Sequence, residues 1–289
     1  RGIIASNIIE NGAVGISLSG SSNTRIYNNT ISRTFHPIRL REDDRLGGCN
    51  FYKDGRCQTE ERWSKGKNLS WAQTGTEIYN NILSSRAFQK NDSSGPHYAY
   101  PLRTVGGIDQ DGQRKTFTND MFTGLDYNAY YRSNLENEPY VITWDLADVK
   151  DPLNLLFVRT ADLAAHNKVS KKINGLERHA LDLFGSRAEN PFFIREAAGN
   201  DAYKQSNYHL FGSPADNPYF TREAAGSRQS NYRLRADSPA KGSGKALPLD
   251  IARAIDPSGK IKPGMAVDRG ALMNIMMDAT GGAAAPERV

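Results

Sequence analysis

Arg39 and Arg41 stand in a run, Pro37-Ile38-Arg39-Leu40-Arg41, where apolar and basic residues alternate, and Glu42-Asp43-Asp44 follows at once. Alternation with a period of two describes a strand with one buried face, so both guanidinium groups leave the same side. Planar guanidinium forks pair bidentately with carboxylates, which suits an acidic ligand. The acidic triplet offers hard oxygen donors, for which calcium is the expected ion. Two such carboxylates about 5–9 Å apart would instead suit a hydrolase. Internal pairing with Arg39, Arg41 and Arg45 is the plain structural use of the same charges.

A second group lies further along the chain. His97, Tyr98, Tyr100 and Arg103 fall in one short stretch, and Tyr130 and Arg132 in another. Cleaving a uronate by elimination requires neutralising the substrate carboxylate and removing the adjacent C5 proton with a positioned base. Arg39 and Arg41 suit the first task, His97 or Tyr98 the second, and Tyr130 the return of a proton to the leaving group. Tyr100, Arg103 and Arg132 would add stacking and charge. A glycoside hydrolase would turn to Asp43, Asp44 and Asp126 instead, and a non-catalytic carbohydrate-binding or structural surface protein would use only the basic and aromatic groups. Ser-His-Asp order, a Gly-rich phosphate loop and zinc-ligand spacing are all missing.

The elements that would position these groups come from a repeat. Ile4-Ala5-Ser6-Asn7-Ile8-Ile9 matches Ile26-Tyr27-Asn28-Asn29-Thr30-Ile31, and Gly15-Ile16-Ser17-Leu18 matches Pro37-Ile38-Arg39-Leu40, both at an offset of 22 residues. Thr76-Glu77-Ile78-Tyr79-Asn80-Asn81-Ile82-Leu83 is a further copy, and Phe117-Thr118-Asn119-Asp120-Met121-Phe122 a weaker one. Each unit has one apolar side and needs neighbours to cover it, so the copies are expected to stack as parallel strands about 4.8 Å apart. Ile4, Ile26 and Ile78 should form one column. Asn7, Asn29, Asn81 and Asp120 should form another, with side-chain amides bonded along the stack. Counting eight residues on from Asp120 puts Asn128 in phase with Gly15 and Pro37. Tyr130 and Arg132 would then share a face with Arg39 and Arg41, with Tyr98, Tyr100 or Arg103 between them.

The I-x-N-N-x-I and G-I-x-L rhythm resembles the right-handed parallel β-helix repeats of pectate lyases, alginate-modifying epimerases and β-helical glycosidases. Asp126-Tyr127-Asn128-Ala129-Tyr130-Tyr131, Ser238-Pro239-Ala240-Lys241-Gly242 and Asp268-Arg269-Gly270-Ala271 resemble segments near the carboxyl ends of bacterial β-helix proteins. The resemblance implies an all-β solenoid, into which this chain is expected to insert loops and a short lateral helix. The expected function is that of an extracellular or periplasmic enzyme acting on an anionic polysaccharide, with β-elimination slightly ahead of hydrolysis. Residues 1–133 are expected to be coils interrupted by an insertion at 44–74. Residues 134–180 read as a lateral excursion, with its helix at 161–172, 181–275 as terminal coils, and 276–289 as a loose tail. Within the terminal coils Asn190 to Gly199 recurs as Asn217 to Gly226, a duplicated packing unit. Residue 1 is an arginine inside the repeat pattern, so the chain is read as processed or truncated.

Composition fits that reading. Glycine is plentiful at 26 residues, and a hydrophobic fraction of 38% suits short strands and turns better than a layered α/β enzyme. The net charge of +5 draws anionic partners. Its Lys and Arg residues are scattered and match no nucleic-acid motif, which argues against nucleic acid. No apolar run approaches the roughly 18 residues that span a bilayer. Cys49 and Cys57 share one charged, Gly-rich segment, and a local disulfide is expected there.

Overall fold

The computed structural model describes residues 2–10, 12–41, 52–53, 56–57, 73–85, 89–92, 95–98, 100–105, 107–108, 114–116, 118–131, 142–145, 155–158, 176–183, 192–195 and 231–271. The chain is all-β at its centre, with three parallel sheets that are filled in turn by successive passes of the chain. The first sheet takes Ile3–Ala5, Arg25–Tyr27, Thr76–Tyr79 and Phe122–Asp126. The second takes Ile8–Glu10, Thr30–Thr34, Ile82–Ser85, Ala129–Tyr131 and Leu181–Asp182. The third takes Val14–Ser19, His36–Arg41, Leu102–Val105 and Ile142–Asp145, and ends in one antiparallel strand, Leu155–Val158.

Registers follow the sequence repeat. Ile4 lies opposite Ile26, which lies opposite Ile78, and Leu125 completes the column. In the second sheet Ile9, Ile31, Leu83 and Tyr130 align, and in the third Ile16, Ile38, Leu102 and Ile142. Residues from all three sheets join one buried cluster, so the sheets surround a shared core.

The corner between the first and second sheets explains the paired asparagines. Its first residue adopts a left-handed conformation in every pass: Ser6 at φ 59°, Asn28 at 50°, Asn80 at 59° and Tyr127 at 59°. Asparagine enters that region more readily than most residues. Its second residue forms an amide ladder, in which Asn7, Asn29 and Asn81 each donate from Nδ2 to Oδ1 of the next rung, at 2.9, 3.0 and 3.0 Å. The fourth rung is Asn128, not Asp120. Thr118–Met121 forms a helical turn instead, and the true copy of the repeat runs from Gly124 to Tyr130. Gly124 departs from the pattern because the Tyr79 hydroxyl lies 2.1 Å from where a Cβ would stand.

Residues 238–271 contribute no strand to the parallel sheets and are laid across this corner. Gly242 N–H donates to Asp268 Oδ1 at 2.7 Å and Arg269 N–H to Ala240 O at 2.9 Å, joining Ser238-Pro239-Ala240-Lys241-Gly242 to Asp268-Arg269-Gly270-Ala271 as one clasp. Asn28 and Asn80 hold the clasp through Nδ2, donating to Asp268 O and Lys245 O, both at 2.8 Å. The helix Leu249–Ile255 buries Ile251, Ala252 and Ile255 in a cluster with Tyr27. Arg25, 5% exposed, ties it to the first sheet by pairing with both Glu77 and Asp250.

Some expected features fall elsewhere. Most of the insertion at 44–74, the lateral helix at 161–172, the second copy of the duplication at 217–226 and the tail at 276–289 lie outside the described residues. So does the pairing of Cys49 with Cys57. Among the described residues no helix is long and apolar enough to cross a membrane.

Candidate functional site

The third sheet places a basic column on the side of its strands away from Ile38 and Leu102. Ser17, Arg39, Arg103 and Thr143 lie opposite one another on four successive parallel strands. Arg41 stands beside Arg39, opposite Ser19 and Val105. Neighbouring strands are about 4.8 Å apart, so Arg39 and Arg103 emerge one strand spacing from each other. Arg41 is exposed and the other two are half-buried.

Among the described residues, the side-chain partners of Arg39 and Arg103 are neutral. Arg39 donates from Nε and Nη2 to Ser17 Oγ at 3.2 and 3.1 Å, and Arg103 Nη1 lies 3.1 Å from His36 Nε2. Burial and the neighbouring Arg39 charge hold the Arg103 guanidinium below its ordinary value. His36 is 3% exposed, and burial, followed by the nearby Arg103 charge, takes its pKa down to about 4. Three other arginines differ: Arg25, Arg33 and Arg235 each pair with a carboxylate.

Several expected site residues lie elsewhere. Tyr130 is not on this face. It belongs to the second sheet, opposite Leu83, is fully buried and donates its hydroxyl to Glu177. The eight-residue count failed because Asn128 is itself the ladder rung. Tyr100 is 5% exposed, so its ring offers no surface for a sugar to stack on. Asp126 ends a strand of the first sheet and is occupied by the Tyr127 and His179 backbone N–H groups and by His179 Nδ1, each at 2.8 Å. His97 lies in Gly95–Tyr98, which pairs antiparallel with Gln89–Asp92 outside the three parallel sheets, and the side chains of His97 and Tyr98 are not among those described. Glu42, Asp43, Asp44 and Arg132 lie outside the described residues, and the expected calcium site with them.

Two buried groups escaped sequence reasoning. His36 precedes a proline at the start of a strand, with nothing to distinguish it from a core histidine. Glu177 closes the amide ladder: Asn128 Nδ2 donates to its Oε1 at 2.8 Å, while Oε2 meets no hydrogen-bond donor among the described residues. Burial pushes the Glu177 carboxyl up to about 7. It is not accessible enough to meet a polymer, so its role lies in the core.

No protein-family model, curated protein or solved structure matched the chain. The functional reading therefore rests on the geometry of the third sheet.

Proposed function

We propose that the chain is a right-handed parallel β-helix whose third sheet binds an anionic, uronate-containing polysaccharide, and that it cleaves this polymer outside the cell by β-elimination. The coil reading is supported by the three sheets filling in the same order on each pass, around one core. The substrate reading is carried by one observation: Arg39 and Arg103 are stacked on adjacent parallel strands and held by the neutral groups of Ser17 and His36, with no carboxylate paired to either among the described residues.

Arginine beside a substrate carboxylate neutralises it and makes the adjacent C5 proton more acidic. A base removes that proton, the electron pair forms the C4=C5 double bond, and the C4–O bond breaks with its electrons passing to the departing sugar oxygen, which then takes up a proton. Removal of the proton is the role of His97 or Tyr98; with Tyr130 buried, the proton returned to the leaving oxygen comes from another group or from solvent.

The test measures binding and product formation on polygalacturonate, alginate and hyaluronate, with a neutral galactan as control. Arg39→Ala and Arg103→Ala should each weaken polyuronate binding about 10-fold to 100-fold, the effect of a lost charge-assisted hydrogen bond of roughly 1.5–3 kcal/mol, and should leave the neutral polymer unaffected. Elimination yields an unsaturated sugar absorbing in the ultraviolet, hydrolysis only new reducing ends, and a binding protein neither. Equal losses on neutral and acidic polymers, or no loss on either, overturn the substrate reading.

A further inference from the structure

We propose that His36 is a positioning residue for the cationic face, holding the Arg103 guanidinium ready for an anionic ligand through an imidazole that accepts at Nε2 and carries its proton on Nδ1. The identity of the ligand rests on the polyuronate reading above. The positioning role rests on the geometry around His36.

A guanidinium has no acceptor and stays protonated, so the 3.1 Å contact between Arg103 Nη1 and His36 Nε2 is a hydrogen bond only if Nε2 is the unprotonated nitrogen. The imidazole proton then sits on Nδ1, 3.3 Å from the Tyr100 carbonyl oxygen, and donates to it. The Tyr100 backbone N–H also lies 3.4 Å from Nδ1, a contact that would need the opposite tautomer. Arg103 decides between them, because it can only donate. The Phe35 ring packs edge-on against the imidazole at 4.5 Å, and the ring is buried, so it has little freedom to turn. The charged groups acting on it are Arg103 and Arg39, both cationic, and both oppose a proton on Nε2.

A neutral acceptor has a consequence that a carboxylate would not. Arg25 is fixed by Glu77 and Asp250, and its charge is spent inside the protein. Arg103 is fixed by imidazole and Arg39 by a hydroxyl, so each is oriented by a partner that does not neutralise its charge. An arginine arranged in advance also loses less side-chain freedom on binding, which raises affinity without adding a contact. His36 thus acts on the ligand through Arg103 without touching it.

The test uses the full chain and the polyuronate bound best among polygalacturonate, alginate and hyaluronate. His36→Leu, which removes the acceptor, should weaken binding about 10-fold, and His36→Gln, whose side-chain oxygen can accept from Arg103, should restore it to within about 3-fold. In an Arg103→Ala background His36→Leu should cause no further loss, the signature of two residues acting as one unit. Nitrogen chemical shifts of His36 in the unmutated protein at neutral pH should show the proton on Nδ1, a readout that does not depend on either variant folding. A proton on Nε2, unchanged binding by His36→Leu, or losses that add in full in the double variant overturn the positioning role. If Arg103→Ala itself binds polyuronate normally, the substrate reading falls first, a result distinct from the failure of His36 alone.

Discussion

Asn81 donates twice to one atom of Asn128: its backbone N–H and its Nδ2 both reach Oδ1, at 3.1 and 3.0 Å. Asn81 Nδ2 also donates to the carbonyls of Ile26 and Tyr79, and its own Oδ1 receives the N–H and Nδ2 of Asn29 at 2.9 and 3.0 Å. One fully buried amide therefore serves three passes of the chain, in the orientation that lets every donor meet an acceptor. Asn81→Ala should lower stability by about 3 kcal/mol or more, since it leaves several buried groups unmatched at roughly 1–3 kcal/mol each. Asn81→Asp should also destabilise, because a carboxylate accepts from Asn29 but cannot donate to the carbonyls. Urea denaturation measures both; a midpoint unmoved by Asn81→Ala would show that the ladder contributes nothing net.

Ile26 is fully buried between Ile4 and Ile78 in the column below that corner. Ile26→Ala should cost about 2–5 kcal/mol, the range for truncating a core aliphatic side chain that the surroundings cannot refill. Ile4→Ala should cost less, because Ile4 is only half-buried at the end of its column. Equal effects at the two positions would mean that burial along the column is not what stabilises it.

The difference between what sequence showed and what it hid follows from how each contact is made. Ile4, Ile26 and Ile78, and Asn7, Asn29 and Asn81, were legible because strand pairing repeats the same local sequence, and a fixed offset exposes it. The fourth rung was misplaced because Asp126-Tyr127-Asn128 retains only one residue of the Tyr79-Asn80-Asn81 pattern, and that error carried Tyr130 to the wrong sheet. Arg269 and Glu177 could not be placed at all. Both reach the corner from segments without strand alternation, and their partners are backbone carbonyls or a ladder end that no spacing rule identifies. The basic residues of the third sheet were readable one strand at a time, but the neutral character of their partners depends on His36, whose sequence context is silent.

Arg269 makes the clasp a test of that long-range kind. At 3% exposure it donates to Asn128 O and His179 O, each at 2.8 Å, and to Ser243 O from Nη2 at 3.0 Å, so one side chain joins the corner, the last described pass and the overlying segment. Burial lowers its pKa to about 10, which still leaves it charged at neutral pH. Arg269→Ala should cost about 3 kcal/mol or more by leaving those carbonyls without donors. Arg269→Lys should recover only part, since an ammonium group lacks the planar fork. Limited proteolysis should cut between 236 and 271 faster in both variants, and cleavage no faster than in the parent would show that the helix Leu249–Ile255 and its neighbours hold the segment without Arg269.

Glu177 and His36 should make stability depend on pH in opposite directions. Glu177 rises from an ordinary 4.5 to about 7 on burial, so between those values the folded chain binds more protons than the unfolded one, and its contribution to stability falls as pH rises. His36 drops from 6.5 to about 4, so between those values the unfolded chain binds more protons, and its contribution rises with pH. Each shift corresponds to about 3 kcal/mol when fully expressed, and between pH 4.5 and 6.5 the two largely cancel. Glu177→Gln should therefore expose a stability that climbs across the acid range relative to the parent, and His36→Gln one that declines as pH rises towards 7. Urea midpoints collected from pH 4 to 7.5 for the parent and both variants measure this directly. Profiles parallel to the parent in both variants would mean that neither group titrates differently in the folded and unfolded chains.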